Sequence, residues 1–532
     1  MPTRAHRTSL RASQPHPAAE VDRDQPLPAA VRLTPSPRAD EPSSPLAATP
    51  DEFARLAARA ACIAAQHYAG RPDKPVYELM PGRARERLLN LELPEQGLAS
   101  EAILDLFAEA VMAFDMGNQR PTFAAWVNPA AAPIGMLLDF LAGVMNPTAA
   151  KGNHAATYVE ERVVGWLREL MGFPPGTDGM LVDGGSLANL HGLAAALQAA
   201  CAADGWDLQR DGLAGAPWRY LVYTSAEVHS CVRKSARLLG LGEPRVIGVD
   251  ARRRLDGREL AARIRADRAQ GARPFCVVAS AGTVNTGAID PIEELADLCQ
   301  AERLWLHVDG AYGAFGKLDP AVVHLYRGLE RADSLALDPH KWLAVPNTCS
   351  CILVRDGARL AQTFGFQASY LSFETETGFG AGKRFDHMGV YQTRRFLAAK
   401  LLGVLLQLGR EGLREHVARH NRLARRMTAM VDAEPELERL GEGDLTIVCF
   451  RYVPRRLRGD EARLDRLNRC LVERLQLGGR AFVSGTELDG RFVVRSCALH
   501  YDLTEADVRV IVDATLDAGR EVLAELSPRG LR

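Results

Sequence analysis

Between residues 157 and 355, short apolar runs alternate with longer segments whose apolar positions recur every three or four residues. The runs at 220–224, 245–249, 274–280, 305–308, 334–337 and 351–355 read as strands. The periodic segments at 158–171, 187–200, 230–239, 258–270 and 292–302 read as helices. Strands apolar on both faces predict an α/β fold with a large, mostly parallel sheet covered by helices on each side. Ligands of such sheets gather at the carboxyl ends of the strands. Upstream, Asp51 caps a helix over 52–68 closed by Gly70, and helices broken by Pro and Gly continue to about 150. Downstream, a long helix over 392–412 precedes strands at 445–452, 481–484 and 491–500 and helices at 462–476 and 504–526, a smaller α+β domain. The expected division is 1–50, 51–150, 151–393 and 394–532, with no internal repeat.

Composition changes this picture at one end only. Residues 1–50 carry ten of the 30 prolines and read as a disordered Pro/Ala/Arg-rich extension, with too little apolar surface to offset its ordering entropy. Its first 20 residues resemble a transit peptide in charge, but the prolines oppose an amphipathic helix. The 47% hydrophobic and 25% charged fractions are those of a globular protein. A net charge of −1 predicts neither a nucleic-acid nor an anionic-membrane partner, and no apolar run has the length of a membrane span. Ten scattered cysteines predict free thiols in a reducing cytoplasm, and Cys349-x-Cys351 has no second pair to complete a zinc site.

The chain uses 58 arginines and only seven lysines. Lys341 stands in the apolar turn Ser334-Leu335-Ala336-Leu337-Asp338-Pro339-His340-Lys341-Trp342. A desolvated lysine can become a neutral nucleophile, which arginine cannot. Gly184-Gly185-Ser186 lies between a strand-like run and a helix, and fits either a phosphate cradle or a tight turn with Ser186 as cap. Asp309 ends a strand and is followed by small residues; it suits a protonated ring nitrogen, a metal or a plain turn. His229 stands between a strand and a helix, as a stacking ring, an acid–base group or a helix cap. His416 and His420 lie four apart on a helix without a third ligand, so no metal site is expected. The loop Arg120-Pro121-Thr122-Phe123-Ala124-Ala125-Trp126-Val127-Asn128-Pro129 is either a pocket wall or a packed connector. The Gly-, Thr- and aromatic-rich stretch 360–393 reads as a mobile loop.

Taken in order, these motifs resemble the group II pyridoxal-phosphate-dependent amino-acid decarboxylases, which include aromatic amino-acid, glutamate, tyrosine and diaminobutyrate decarboxylases. The resemblance spans roughly 75–530. It is most specific at Leu306-His307-Val308-Asp309-Gly310-Ala311-Tyr312 and Asp338-Pro339-His340-Lys341-Trp342, and extends to Ala279-Ser280-Ala281-Gly282-Thr283 and Thr286-Gly287-Ala288-Ile289-Asp290-Pro291. It implies a type I aminotransferase-like fold, a homodimer with shared active sites and an L-amino acid substrate. It further implies that Lys341 would hold pyridoxal 5'-phosphate as a Schiff base and Asp309 would pair with the pyridinium nitrogen. Ala311 would pack on one ring face and His229 would stack on the other. Ser186, the following backbone at Leu187, Ser334 and His340 would hold the phosphate, with Asp338 and Thr283 in the same shell. The expected reaction is loss of carbon dioxide to give the amine.

Two departures qualify the resemblance. Counting back from Arg394-Arg395-Phe396 sets Phe385 where many members have a loop tyrosine that protonates the product carbon, with Tyr370, Tyr391 and His387 as substitutes. A phenylalanine there accompanies oxidative decarboxylation–deamination to an aldehyde in some members, which makes that reaction, or another such as transamination, the alternative. The substrate pocket, expected at Trp126, Asn128, Thr148 and Phe385, also reads as more polar than in aromatic-specific members, with Trp126 its one large aromatic wall.

Overall fold

The β-branched and aliphatic runs fold into twelve strands among the described residues: 44, 46–70, 74–366 and 378–526 of this computed structural model. They are β1 (Phe123–Ala124), β2 (Asp178–Val182), β3 (Arg219–Ser225), β4 (Arg245–Ile247), β5 (Ala272–Ser280), β6 (Trp305–Asp309) and β7 (Ser334–Leu337), then β8 (Ser350–Val354), β9 (Leu437–Arg439), β10 (Ile447–Tyr452), β11 (Phe482–Leu488) and β12 (Arg491–Cys497). Seven form one sheet in the order β2-β8-β7-β6-β5-β3-β4. All its pairings are parallel except the two made by β8. The side chains of β6, β7 and β8 are buried almost throughout, as a sheet covered on both faces requires. The second sheet, β1-β11-β12-β10-β9, is antiparallel apart from the short β1 and packs on helices Glu461–Leu477 and Glu505–Glu525 around its own core. The chain is thus α/β, with a large, mostly parallel sheet and a smaller C-terminal antiparallel domain.

Two compact units are distinguished along the chain, Met1–Ala64 and Ala65–Arg532. The first contributes most of helix Pro50–Ala69, which opens on Asp51 and Glu52, acids that favour the positive end of the helix dipole. The second holds both sheets. Among the described residues no helix is long and apolar enough to cross a membrane.

The long helix departs from expectation. It runs Ala398–Ala433, well past the predicted stop at 412. Gly409 takes φ 60° and ψ −177° and bends the chain without ending the helix. The helix resumes because Leu413, Val417, Ala424, Met427 and Val431 repeat at three, four or seven residues and are all buried.

Phe385 is corrected by the structure. It is a core residue with 0% exposure, packed with Met180, Val182, Ile352 and Met388. Lys383 Nζ and the Arg394 guanidinium each stand 4.9 Å from its ring centre. A ring enclosed this way cannot reach a substrate. The register counted from Arg394 fails because Arg394 is itself buried: Nη1 donates to Ala149 O at 2.7 Å, Nη2 donates to Leu181 O at 2.6 Å, and the guanidinium pairs with the buried Glu160. That clamp draws the residues before it into the core. His387 Nε2 is bound by Arg384 Nη2 at 2.9 Å, and Tyr370 lies outside the described residues. Phe385→Ala is expected to cost ~3–5 kcal/mol of unfolding free energy in guanidinium titration. A loop proton donor would instead show unchanged stability and lost turnover.

Candidate functional site

Five strands of the large sheet deliver their carboxyl ends to one cleft of about 320 Å³. β2 leads into Gly184-Gly185-Ser186, β3 into His229, β5 into Gly282, β6 ends on Asp309, and β7 leads into Asp338-Pro339-His340-Lys341. Parallel pairing brings β3, β5, β6 and β7 to the same edge, and the antiparallel β8 between β7 and β2 turns β2 to run the same way.

Lys341 Nζ donates to Asp338 Oδ2 at 2.9 Å. Burial pushes the ammonium down, but the Asp338 and Asp309 carboxylates outweigh it and hold its pKa above the ordinary lysine value. Burial raises the Asp309 carboxyl against the opposing pull of Lys341 and of the Ala311 N–H, which donates to Oδ1 at 3.1 Å. His229 Nδ1 accepts the Cys231 backbone N–H at 3.2 Å, which puts the ring proton of the neutral form on Nε2. Burial lowers its pKa, so the ring is neutral near pH 7. Burial lowers His340 as well, and its Nδ1 lies 2.8 Å from Cys349 O.

A phosphate-bearing aldehyde fits these groups. Gly184 takes φ +103° and starts a 19-residue helix whose positive end faces the cleft. Gly185 lets backbone close on Asp338: an added Cβ would stand 2.6 Å from Asp338 Oδ2. Asp338 Oδ1 is buried with no hydrogen-bond partner, a polar atom left for a ligand to answer. Lys341 would supply the amine, Asp309 the carboxylate for a ring nitrogen, and Ala311 and His229 the flanking faces.

The cleft gathers Ser186, His229, Asp309, Ala311, Asp338, His340 and Lys341. The other expected residues lie elsewhere. Leu187 spends its N–H on Gly184 O at 3.0 Å. Thr283 is buried within its own turn, its hydroxyl 3.2 Å from that of Thr286. Ser334 begins β7, and Asp338 follows four residues of extended strand later, ~13 Å away at the usual rise. Its hydroxyl accepts Trp305 Nε1 at 2.8 Å and meets His307 Nδ1 at 2.7 Å, so it is not a phosphate ligand. Trp126 is 48% exposed at φ 51°, packed against Phe123 and Phe482. Asn128 Oδ1 accepts Asn347 Nδ2 at 3.1 Å, and Thr148 Oγ1 accepts the Arg394 N–H at 3.3 Å. These three are outside the cleft lining of this chain.

Three residues were missed. Asn189 lines the cleft, donates to Gly185 O at 2.8 Å and accepts from His307 Nε2 at 2.9 Å; its spacing of four from Gly185 was the available signal. Burial holds His307 down at about 3, so it stays neutral within this Asn189–His307–Ser334 chain. Cys231 also lines the cleft, its thiol pushed up to about 12 by burial. Arg495, buried in β12, donates from Nε to Val284 O at 2.9 Å and from Nη1 to Trp126 O at 3.0 Å, and so ties the expected pocket wall to a residue of the cleft. Nothing in the alternation of β12 marked it.

Comparison with known proteins agrees with this geometry. The model of the pyridoxal-dependent decarboxylase conserved domain matches residues 81–453. The aromatic-L-amino-acid decarboxylase of Bacillus atrophaeus is 32% identical over 466 residues, 87% of this chain and 94% of that protein. The cysteine sulfinic acid decarboxylase of Homo sapiens is 32% identical over 409 residues, 75% of this chain and 81% of that one. Among solved structures, Oryza sativa TDC with PLP and tryptamine has a TM-score of 0.82 at 28% identity, covering 90% of this chain and 99% of that chain. Gly185→Ala is expected to lower cofactor affinity at least ~tenfold in absorbance titration, with far-UV circular dichroism unchanged, because the methyl group has no room beside Asp338.

Proposed function

The chain belongs to the pyridoxal-dependent decarboxylase family, a carboxy-lyase with pyridoxal 5'-phosphate as cofactor, and we propose that it converts an L-amino acid to its amine at the cleft around Lys341, whose amine would hold the cofactor. The observation that carries this reading is Lys341 Nζ held 2.9 Å from Asp338, with the buried Asp309 in the same cleft. When bound, the cofactor supplies an electron sink for the pair that the departing carboxylate leaves behind. Asp309 keeps a proton on the ring nitrogen. Burial alone would neutralise this carboxyl, so a facing cation is what keeps it charged. The neutral His229 ring stacks without placing a second positive charge beside the cofactor. The backbone at the start of helix Gly185–Ala203 and the Ser186 hydroxyl take the phosphate, while Asp338 holds the Lys341 proton until the amine is needed. Arg495, tied to Val284 and Trp126, supplies the cation that orients the substrate carboxylate.

Phe385, which favoured an aldehyde product, no longer supports that reaction from its place in the core. Lys341→Ala is expected to abolish turnover and the borohydride-stable label on the holoenzyme. Full turnover in that variant would end this reading. A panel of aromatic and acidic L-amino acids, followed by carbon dioxide release, dioxygen uptake and product mass, is expected to yield amine without oxygen consumption.

The working unit is a homodimer. Helix Pro133–Met145 exposes Leu137, Phe140, Leu141, Val144 and Met145, an apolar face that supports burial against a second copy. Ten free cysteines, eight of them buried, support a reducing compartment such as the cytoplasm. Sedimentation velocity is expected to give twice the chain mass, and Phe140→Glu to halve it.

A further inference from the structure

We infer that Asn285, in the loop after β5, is a positioning residue that sets the spacing between two walls of the cofactor cleft by tying both to the small domain. The inference rests on the cofactor occupying the cleft around Lys341. His229 and Val284 both line that cleft, from different loops. The loop carrying Val284 is fastened at its base: Thr283 N donates to Ala288 O at 2.8 Å, and Gly287 N to Thr283 O at 2.9 Å. Its tip is also fastened from outside, through the Asn285 side chain and through the Val284 and Asn285 carbonyls.

The Asn285 amide is used at both ends. Nδ2 donates to Glu227 Oε2 at 2.8 Å, and Oδ1 accepts from Thr486 Oγ1 at 2.7 Å. A carboxylate can only accept, so the amide has one workable orientation. Glu227 is buried and stands two residues before His229. Its other oxygen takes Arg253 Nη1 at 3.3 Å, and Arg253 also pairs with Asp489. Thr486 lies in β11, while Arg495 in β12 donates from Nε to both Val284 O and Asn285 O, at 2.9 and 3.2 Å. Cys449 Sγ in β10 lies 3.3 Å from Asn285 O. Three strands of the small sheet therefore grip the loop tip, and one amide passes that grip to the segment bearing His229.

Without the amide, a buried carboxylate oxygen loses its donor and Thr486 loses its acceptor. The two walls then separate by whatever Glu227 and Thr486 need to find water. The cofactor ring, stacked on His229, is held less tightly, while the sheet and both cores keep all their contacts.

The test uses full-length wild type and the variants Asn285→Ala, Asn285→Asp, Thr486→Val and Lys341→Ala. Pyridoxal phosphate affinity and release rate are followed by absorbance across pH, with apoprotein melting temperature measured in parallel. Asn285→Ala is expected to weaken cofactor binding about tenfold at every pH, the size of a lost hydrogen bond to a charged group, and Thr486→Val to weaken it less. Asn285→Asp sets a second carboxylate against Glu227. Its loss relative to wild type is expected to grow as pH rises, because ionising both acids sets like charges together. A purely structural asparagine would lower the apoprotein melting temperature by a matching amount at each pH and leave the cofactor release rate unchanged. Wild-type affinity in Asn285→Ala and Asn285→Asp at all pH values would overturn the inference, as would losses that follow the fall in melting temperature. If Asn285→Asp does not fold, wild-type affinity in both Asn285→Ala and Thr486→Val overturns it. Lys341→Ala separates the two readings: wild-type cofactor affinity and release in that variant would sink the assignment of the cleft, whereas the asparagine variants bear on the clamp alone.

Discussion

A lysine ammonium withdrawn from water between two carboxylates governs the rest of this site. Lys341 is partly withdrawn from water, and Asp338 at 2.9 Å makes that tolerable. Asp338 in turn needs Gly185, because no side chain fits between it and the start of the helix. Asp309 needs a cation in the cleft, or burial would return it to the neutral acid. Lys341, Asp338 and Asp309 act on one another's charge and Gly185 leaves them room, so the four positions form one unit on the ends of β2, β6 and β7.

The fold was largely legible because the strands are buried on both faces and helices alternate between them. Helix Ile292–Glu302 and strand Ser334–Leu337 were read at their observed bounds. The long helix was misjudged because Gly412 normally signals an end, yet the helix continues through it and apolar residues beyond it keep the helical period. Within the site, local motifs were legible: the strand-ending Asp309, the turn of Lys341 and the glycines before Ser186 each announce themselves within a few residues.

What was not legible depends on direction or distance. Ser334 and Asp338 belong to one short motif, but an extended strand carries them to opposite edges of the sheet. Phe385 was placed by counting from Arg394, and counting does not show that Arg394 turns inward to Glu160. Asn285 and Arg495 are 210 residues apart in sequence, and only the packing of the small sheet brings them together. Linear spacing carries no information on such pairs.

The scarcity of lysine has a consequence for chemical selectivity. An aldehyde cofactor condenses with whatever unprotonated amine it meets, so every accessible lysine is a competitor for it. Besides Lys341 this chain offers six, of which Lys317 donates to Met171 O at 2.7 Å, Lys383 pairs with Asp178 and Lys400 pairs with Asp139 at 3.4 Å. Arginine, always protonated, carries most of the surface positive charge without entering that competition. The composition thus acts as a filter against misplaced carbonyl adducts, and it leaves the amine at the ends of the parallel strands with few rivals.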